Sequence, residues 1–182
     1  MPFTIVLWNV RGLGKKDKVT AVCSSISTSK ARVVFIQESK MEMENKSVVK
    51  RLMGKNFHER VIVPSEVASS GLISLWDADF FSMESKQVSR RLIVLEGKLI
   101  HSNLKVGLIN VYALNDHAER REFLLNLNEL RLPVIIGGDF NTVRSDDEKL
   151  GGLVNVEASK VFSDFVLGRN LIDLPLEGSA YT

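Results

Sequence analysis

The chain has 182 residues, 45% of them hydrophobic and 25% charged, with a formal net charge of +2. That length supports one domain with a sizeable core, and the small net charge excludes a chain-wide field for nucleic acid, leaving only local basic patches for that purpose. A single cysteine, Cys23, excludes an intramolecular disulfide framework and a cysteine zinc site. Cys23 lies on an apolar helical stripe and reads as a buried structural thiol, which fits a reducing intracellular setting, nuclear or cytoplasmic.

Phe3–Val10 is β-branched and aromatic and has no basic leader, so it reads as a buried strand rather than a signal peptide. Lys15–Thr28 places Val19, Val22, Cys23 and Ile26 on one helical face. Arg32–Gln37 is a second strand. Asn45–Met53 is a short helix with Asn45 as N-cap and Gly54 as stop. His58–Val63 and Gly71–Trp76 are further strands. Val88–Glu96, Lys98–His101 and Leu104–Ala113 read as an antiparallel meander turned at Gly97 and at Ser102-Asn103. Asp116–Leu130 begins with an Asp116/Glu119 pair resembling a capping box and has Phe123, Leu124, Leu127 and Leu130 on its inner face. Pro133–Gly138 is another buried strand. Val156–Gly168 is a helix with Ala158, Val161, Phe162 and Phe165 on one side. Arg144–Gly152 is a charged surface loop, and no apolar run is long enough to span a bilayer. Early βα alternation followed by a meander favours an α/β sandwich over a doubly wound sheet, with residues 1–182 as a single domain.

Several of these buried strands run into polar residues, which are costly there unless paired. The first reaches Asn9, the second Gln37-Glu38, the last meander strand carries Asn110 and Tyr112, and PVIIGG reaches Asp139 and Asn141. Groups at strand ends can converge in one crevice. Each segment alone also fits an ordinary turn or a satisfied core residue. Together they match the needs of phosphodiester hydrolysis. One carboxylate holds a hard cation such as Mg²⁺, a second orients and deprotonates water, and neutral donors steady the phosphate. Gly137-Gly138 allow a sharp turn or a close approach before Asp139.

Trp8-Asn9-Val10-Arg11-Gly12-Leu13, Ile36-Gln37-Glu38-Ser39-Lys40, Asn110-Val111-Tyr112-Ala113 and Gly137-Gly138-Asp139-Phe140-Asn141-Thr142, in this order, resemble the endonuclease/exonuclease/phosphatase superfamily. The W-N-V-R and Q-E-S-K forms, with Gly71–Trp76 and Leu171–Leu176, are most similar to the apurinic-endonuclease-like domain of plant LINE-type retrotransposons. The resemblance implies a DNase-like, four-layered α/β sandwich of two packed mixed sheets flanked by helices. It implies that Glu38 and Asn9 bind Mg²⁺ (or Mn²⁺), that Asp139 activates water, and that Asn141 and Tyr112 hold the scissile phosphate. Thr182 matches the threonine of a late Y-T or F-T segment near the DNA-contacting surface.

Two departures stand out. Arg11 occupies a position that is often acidic in apurinic-site endonucleases. The family's later Asp and Ser-Asp-His segments have no counterpart before Thr182, so the domain is expected to be incomplete at its C-terminus, with the last strands of the second sheet missing. His58, His101 and His117 read as structural or surface residues. Arg11, Lys15, Lys16, Lys18, Arg90, Arg91 and Arg144 are candidates for phosphate contacts on DNA. Three readings therefore stand: a Mg²⁺-dependent DNA-nicking domain of retrotransposon origin, an inactive remnant binding nucleic acid or protein, and a phosphatase of the same fold acting on inositol or sphingolipid phosphate esters.

Overall fold

Apolar strands pair into two sheets in the computed structural model, which describes residues 3–66, 70–114, 116–127, 131–148 and 154–174. The chain divides into two units, Met1–Tyr112 with Leu132–Asp139, and Ala113–Arg131 with Phe140–Thr182.

The first unit holds both sheets. In one, β1 (Ile5–Asn9) runs parallel to β2 (Val33–Gln37), and β4 (Leu72–Trp76) runs antiparallel to both β2 and β3 (Glu59–Val63), in the order β1-β2-β4-β3. In the other, β5 (Phe81–Ser89), β6 (Leu92–Leu99) and β7 (Leu104–Tyr112) form an antiparallel meander, and β8 (Val134–Asp139) is parallel to β7. Both sheets are mixed.

Strands β2 and β4 are buried at every position, because they are covered on both faces. Successive residues point to opposite sides. Val34, Ile36, Ile73 and Leu75 pack with Val19, Val22 and Ile26 of α1 (Lys16–Ser29) and with Val49 and Leu52 of α2 (Lys46–Met53). Val33, Phe35, Leu72 and Trp76 face the other way and meet Ile93, Leu95, Val106 and Leu108 of the second sheet. The Asn45 side chain caps α2 by accepting from the Ser47 and Val48 amides at 3.1 and 3.2 Å. Cys23 is partly buried against the α1/α2 core, and burial pushes its thiol pKa up. This α/β sandwich of two mixed sheets with helices is the fold class expected from the sequence.

One polar residue crosses the intersheet core. Asn110 of β7 is fully buried. Its Oδ1 accepts from Gln37 Nε2 at 2.6 Å, and its Nδ2 donates to Ile73 O at 3.0 Å and Ser74 Oγ at 3.2 Å. Paired in this way, the amide ties β7 to β2 and β4 at one register.

The second unit contains α3 (His117–Leu127) and α4 (Val156–Gly168), which pack on each other. Asp116 Oδ1 accepts from the Glu119 amide at 3.0 Å, and Asn155 Oδ1 accepts from the Ala158 amide at 3.0 Å, so side-chain caps begin both helices. Leu124 and Leu127 are buried as expected, while Leu130 lies outside the described residues. Phe140 packs on Phe162 and Phe165, with ring centroids at 4.8 and 6.5 Å. Among the described residues no helix is long and apolar enough to cross a membrane.

The meander differs from its expected form. The first turn falls at Arg90-Arg91, and β6 runs unbroken through Gly97. Gly97 is needed for close approach rather than for a turn: a Cβ there would lie 2.1 Å from Ser82 O. The preceding strand, β5, is an edge strand exposed at every position after Phe81, so it has no hydrophobic alternation to reveal it.

Two stability measurements follow. Gly97→Ala should lower unfolding free energy by about 1–3 kcal/mol in urea titrations, while Gly14→Ala, with open space around it, should stay within about 0.5 kcal/mol of wild type. Asn110→Leu should cost about 2–4 kcal/mol by leaving Gln37 and its other partners unpaired, and adding Gln37→Leu should recover part of that loss.

Candidate functional site

The strand registers bring four polar chain ends to one rim of the first unit. Asn9 pairs with Gln37 at the ends of β1 and β2, and Tyr112 pairs with Asp139 at the ends of β7 and β8. Asn9 joins the two sheets. Its Nδ2 donates to Glu38 Oε1 at 2.9 Å and to Asp139 Oδ2 at 2.8 Å, while its Oδ1 accepts from the Arg11 amide at 3.2 Å. The two carboxylate oxygens are therefore separated by no more than the two bonds to the shared nitrogen.

Tyr112 is 5% exposed. Burial raises its phenol pKa first, and the neighbouring Glu38 and Asp139 carboxylates raise it further against the opposing pull of Arg91. The phenol is thus a neutral donor across the physiological range. The Arg91 guanidinium carbon lies 5.0 Å from the centroid of the Tyr112 ring, a cation–π arrangement. Lys40 Nζ lies 3.8 Å from Glu38 Oε2.

The loops that present these groups are strained. Arg11, Glu38 and Lys40 have φ of 48°, 51° and 53°, in the left-handed region that costs non-glycine residues about 1–2 kcal/mol each. Backbone bonds hold them there: Gly12 N donates to Glu38 O at 2.7 Å, Leu13 N to Ser39 O at 2.9 Å, Ser39 N to Gly71 O at 3.0 Å, and Lys40 N to Ser70 O at 3.0 Å. The glycines before Asp139 have separate reasons. Gly138 has φ 144° and would place a Cβ 2.0 Å from Val111 O, and a Cβ at Gly137 would meet Leu7 Cδ2 at 2.3 Å.

Asn9, Glu38, Tyr112 and Asp139 are thus brought together. Asn141 and Arg144 belong to the second unit. Asn141, with φ 50°, donates from Nδ2 to Ala113 O at 2.7 Å. Arg144 pairs with Glu148 at 3.1 Å and with Asp173, so its charge is engaged by two carboxylates. Arg11, Lys15 and Lys16 are exposed beside the start of α1, and Thr182 lies outside the described residues. His58 Nδ1 lies 3.7 Å from Asp77, which also pairs with Arg32. Lys40 beside Glu38 was not anticipated, since nothing in the Q-E-S-K spacing indicates where the lysine points. The Gln37–Asn110 pair did leave a signal, a polar residue within each of two apolar strands.

Among the described residues no group of three or more His, Cys, Asp or Glu side chains is placed to hold a metal ion. The two carboxylates nonetheless fit a hard cation that keeps most of its waters and takes only one or two protein carboxylates, as Mg²⁺ does.

The chain matches the model of the Endonuclease/Exonuclease/phosphatase family over residues 6–170. No curated protein sequence matches it. Among solved structures it resembles AP endonuclease LMAP from Leishmania major (TM-score 0.69, 16% identity, covering 92% of this chain and 67% of that one). It also resembles an AP endonuclease from Archaeoglobus fulgidus (TM-score 0.67, 14% identity, 91% and 70%). A third is TDP2 from Caenorhabditis elegans (TM-score 0.59, 18% identity, 84% and 50%), of which this chain spans half the length. At these identities the likeness is one of fold.

The phenol shift has a measurable sign. With the folded pKa raised above the unfolded value near 10, Tyr112 contributes stability that is complete below that pH and is lost as pH rises through the folded value. Phenolate absorbance should show a tyrosine titrating later than a free phenol, and Tyr112→Phe should remove that late step.

Proposed function

As the chain belongs to the endonuclease/exonuclease/phosphatase family, we propose that it is a divalent-metal-dependent phosphodiesterase domain that nicks DNA and derives from a LINE-type retrotransposon. The observation that carries this reading is the Asn9 amide holding one carboxylate from each sheet, Glu38 and Asp139, next to a neutral buried phenol. A phosphodiester presents two needs, an activated water and compensation for charge growing on phosphoryl oxygens, and the two carboxylates can divide the work.

Glu38 would hold Mg²⁺ or Mn²⁺ through oxygen, while Asn9, expected from the sequence to be a second ligand, turns its N–H groups to the carboxylates and its oxygen to the Arg11 amide. The ion, when bound, supplies charge stabilisation to the phosphoryl and leaving oxygens. Asp139 orients the attacking water and takes its proton as the water oxygen bonds to phosphorus and the opposite ester P–O bond breaks, the leaving oxygen gaining a proton from solvent. Asn9 supports that role, since its N–H bond to Asp139 Oδ2 fixes the orientation of the carboxylate. Tyr112 donates its hydroxyl proton in a hydrogen bond to a non-bridging oxygen. For Asn141, the phosphate-holding role rests on the family resemblance alone.

DNA as substrate is supported by the W-N-V-R and Q-E-S-K forms and by the AP endonucleases among the structural neighbours. Arg11, Lys15 and Lys16 add positive charge near the start of α1, where the helix dipole already favours an anion.

The test is nicking of supercoiled plasmid with Mg²⁺ by the purified chain. Wild type should convert supercoiled to open-circular DNA, EDTA should stop it, and Asp139→Asn and Glu38→Gln should each lower the rate by about 100-fold or more. Tight DNA binding without nicking would favour the non-catalytic reading. Hydrolysis of a soluble phosphate ester without nicking would favour the phosphatase.

A further inference from the structure

The Glu38 carboxylate is engaged at both oxygens. Oε1 accepts from Asn9, and Oε2 faces the Lys40 ammonium at 3.8 Å, a distance that makes an ion pair without a direct hydrogen bond. Lys40 is not there by the drift of a free surface side chain. Its backbone is held at φ 53° by the Lys40 N to Ser70 O bond, and its stem crosses Gly12, where a Cβ would come within 3.3 Å of Lys40 Cδ. Gly12, with φ 104°, both makes the turn and leaves room for that stem. The ammonium end is more open than its partner, with side-chain exposures of 39% for Lys40 and 16% for Glu38.

We infer that Lys40 is an internal counter-cation of Glu38 that competes with the divalent ion for this carboxylate. The inference rests on the metal-dependent reading above and deepens it. A divalent ion taking Oε2 must displace or repel an ammonium already beside it, so the Lys40–Glu38 attraction is subtracted from the ion's affinity. The pair is partly solvated and loose, so the subtraction is small, of the order measured for exposed ion pairs. The flexible four-carbon stem lets the ammonium withdraw once the ion is bound. Lys40 thus acts as a positioning residue. It keeps Glu38 directed into the site in the metal-free chain and sets the concentration at which the ion replaces it.

The test is Mn²⁺ binding to the full chain, followed by electron paramagnetic resonance of the free ion, a readout that needs no turnover. Lys40→Gln should bind Mn²⁺ about threefold more tightly than wild type. Lys40→Arg, which keeps the charge, should restore affinity to near the wild-type value. Lys105→Gln, at the opposite end of β7, should leave affinity unchanged. Urea midpoints measured on the same samples separate a folding defect from a change in affinity. Equal or weaker Mn²⁺ binding by folded Lys40→Gln overturns the inference while leaving the metal reading intact. Absence of Mn²⁺ binding by every form, wild type included, overturns the metal reading and this inference with it.

Discussion

A bond between two buried amides sets the geometry on which the site depends. Asn110 lies in the intersheet core, and its side chain bonds to β2 through Gln37 and to β4 through Ile73 and Ser74. Two residues further along the same face of β7 comes Tyr112, and one residue beyond Gln37 comes Glu38. A slip of one residue in either strand would turn these groups to the other side of their sheets. Apolar packing alone is tolerant of such shifts, because Val, Ile and Leu are nearly interchangeable in a strand face. The amide is not tolerant, since every misregister leaves it unpaired in a dry interior. Two sheets whose cores are fastened mainly by aliphatic contacts are thereby held at the register that places Tyr112 near Glu38.

The rim of the first unit extends this contrast between a rigid interior and costly edges. Its strands are regular up to Asn9, Gln37, Tyr112 and Asp139, and strain begins immediately beyond them, at Arg11, Glu38 and Lys40. Backbone hydrogen bonds among the 10–13, 37–41 and 70–71 segments overdetermine these conformations, so the loops support one another. The same close packing explains the bare backbone at Gly137, where β8 passes Leu7 of β1.

The legibility of this arrangement in the sequence followed burial. β2 and β4 could be recognised because both faces are covered and their residues are apolar throughout. β5 could not, because its exposed edge is free to be polar, and Gly97 misled because a glycine demanded by a neighbour's carbonyl reads the same as one demanded by a turn. In the site, Asn9, Glu38, Tyr112 and Asp139 were readable as polar residues ending or interrupting apolar runs. The contacts of the long cations were not. Lys40 reaches back to Glu38, Arg91 lies over Tyr112, and Arg144 is drawn to Glu148 and Asp173. A side chain with four or more rotatable bonds carries little positional information in its sequence spacing.

Asn9 commits both N–H groups to carboxylates, and its oxygen accepts from a backbone amide. The orientation of the amide is therefore fixed, because turning it over would set its oxygen against Glu38 and Asp139 and its N–H groups against a donor. The group that separates the two carboxylates must be neutral, planar and doubly donating at one end. An aspartate has the same outline but would gather three negative oxygens at one point, and the cluster would have to take up a proton to relieve them. The difference between an amide nitrogen and a carboxylate oxygen at one atom of residue 9 thus decides whether Glu38 and Asp139 meet a shared donor or a third like charge.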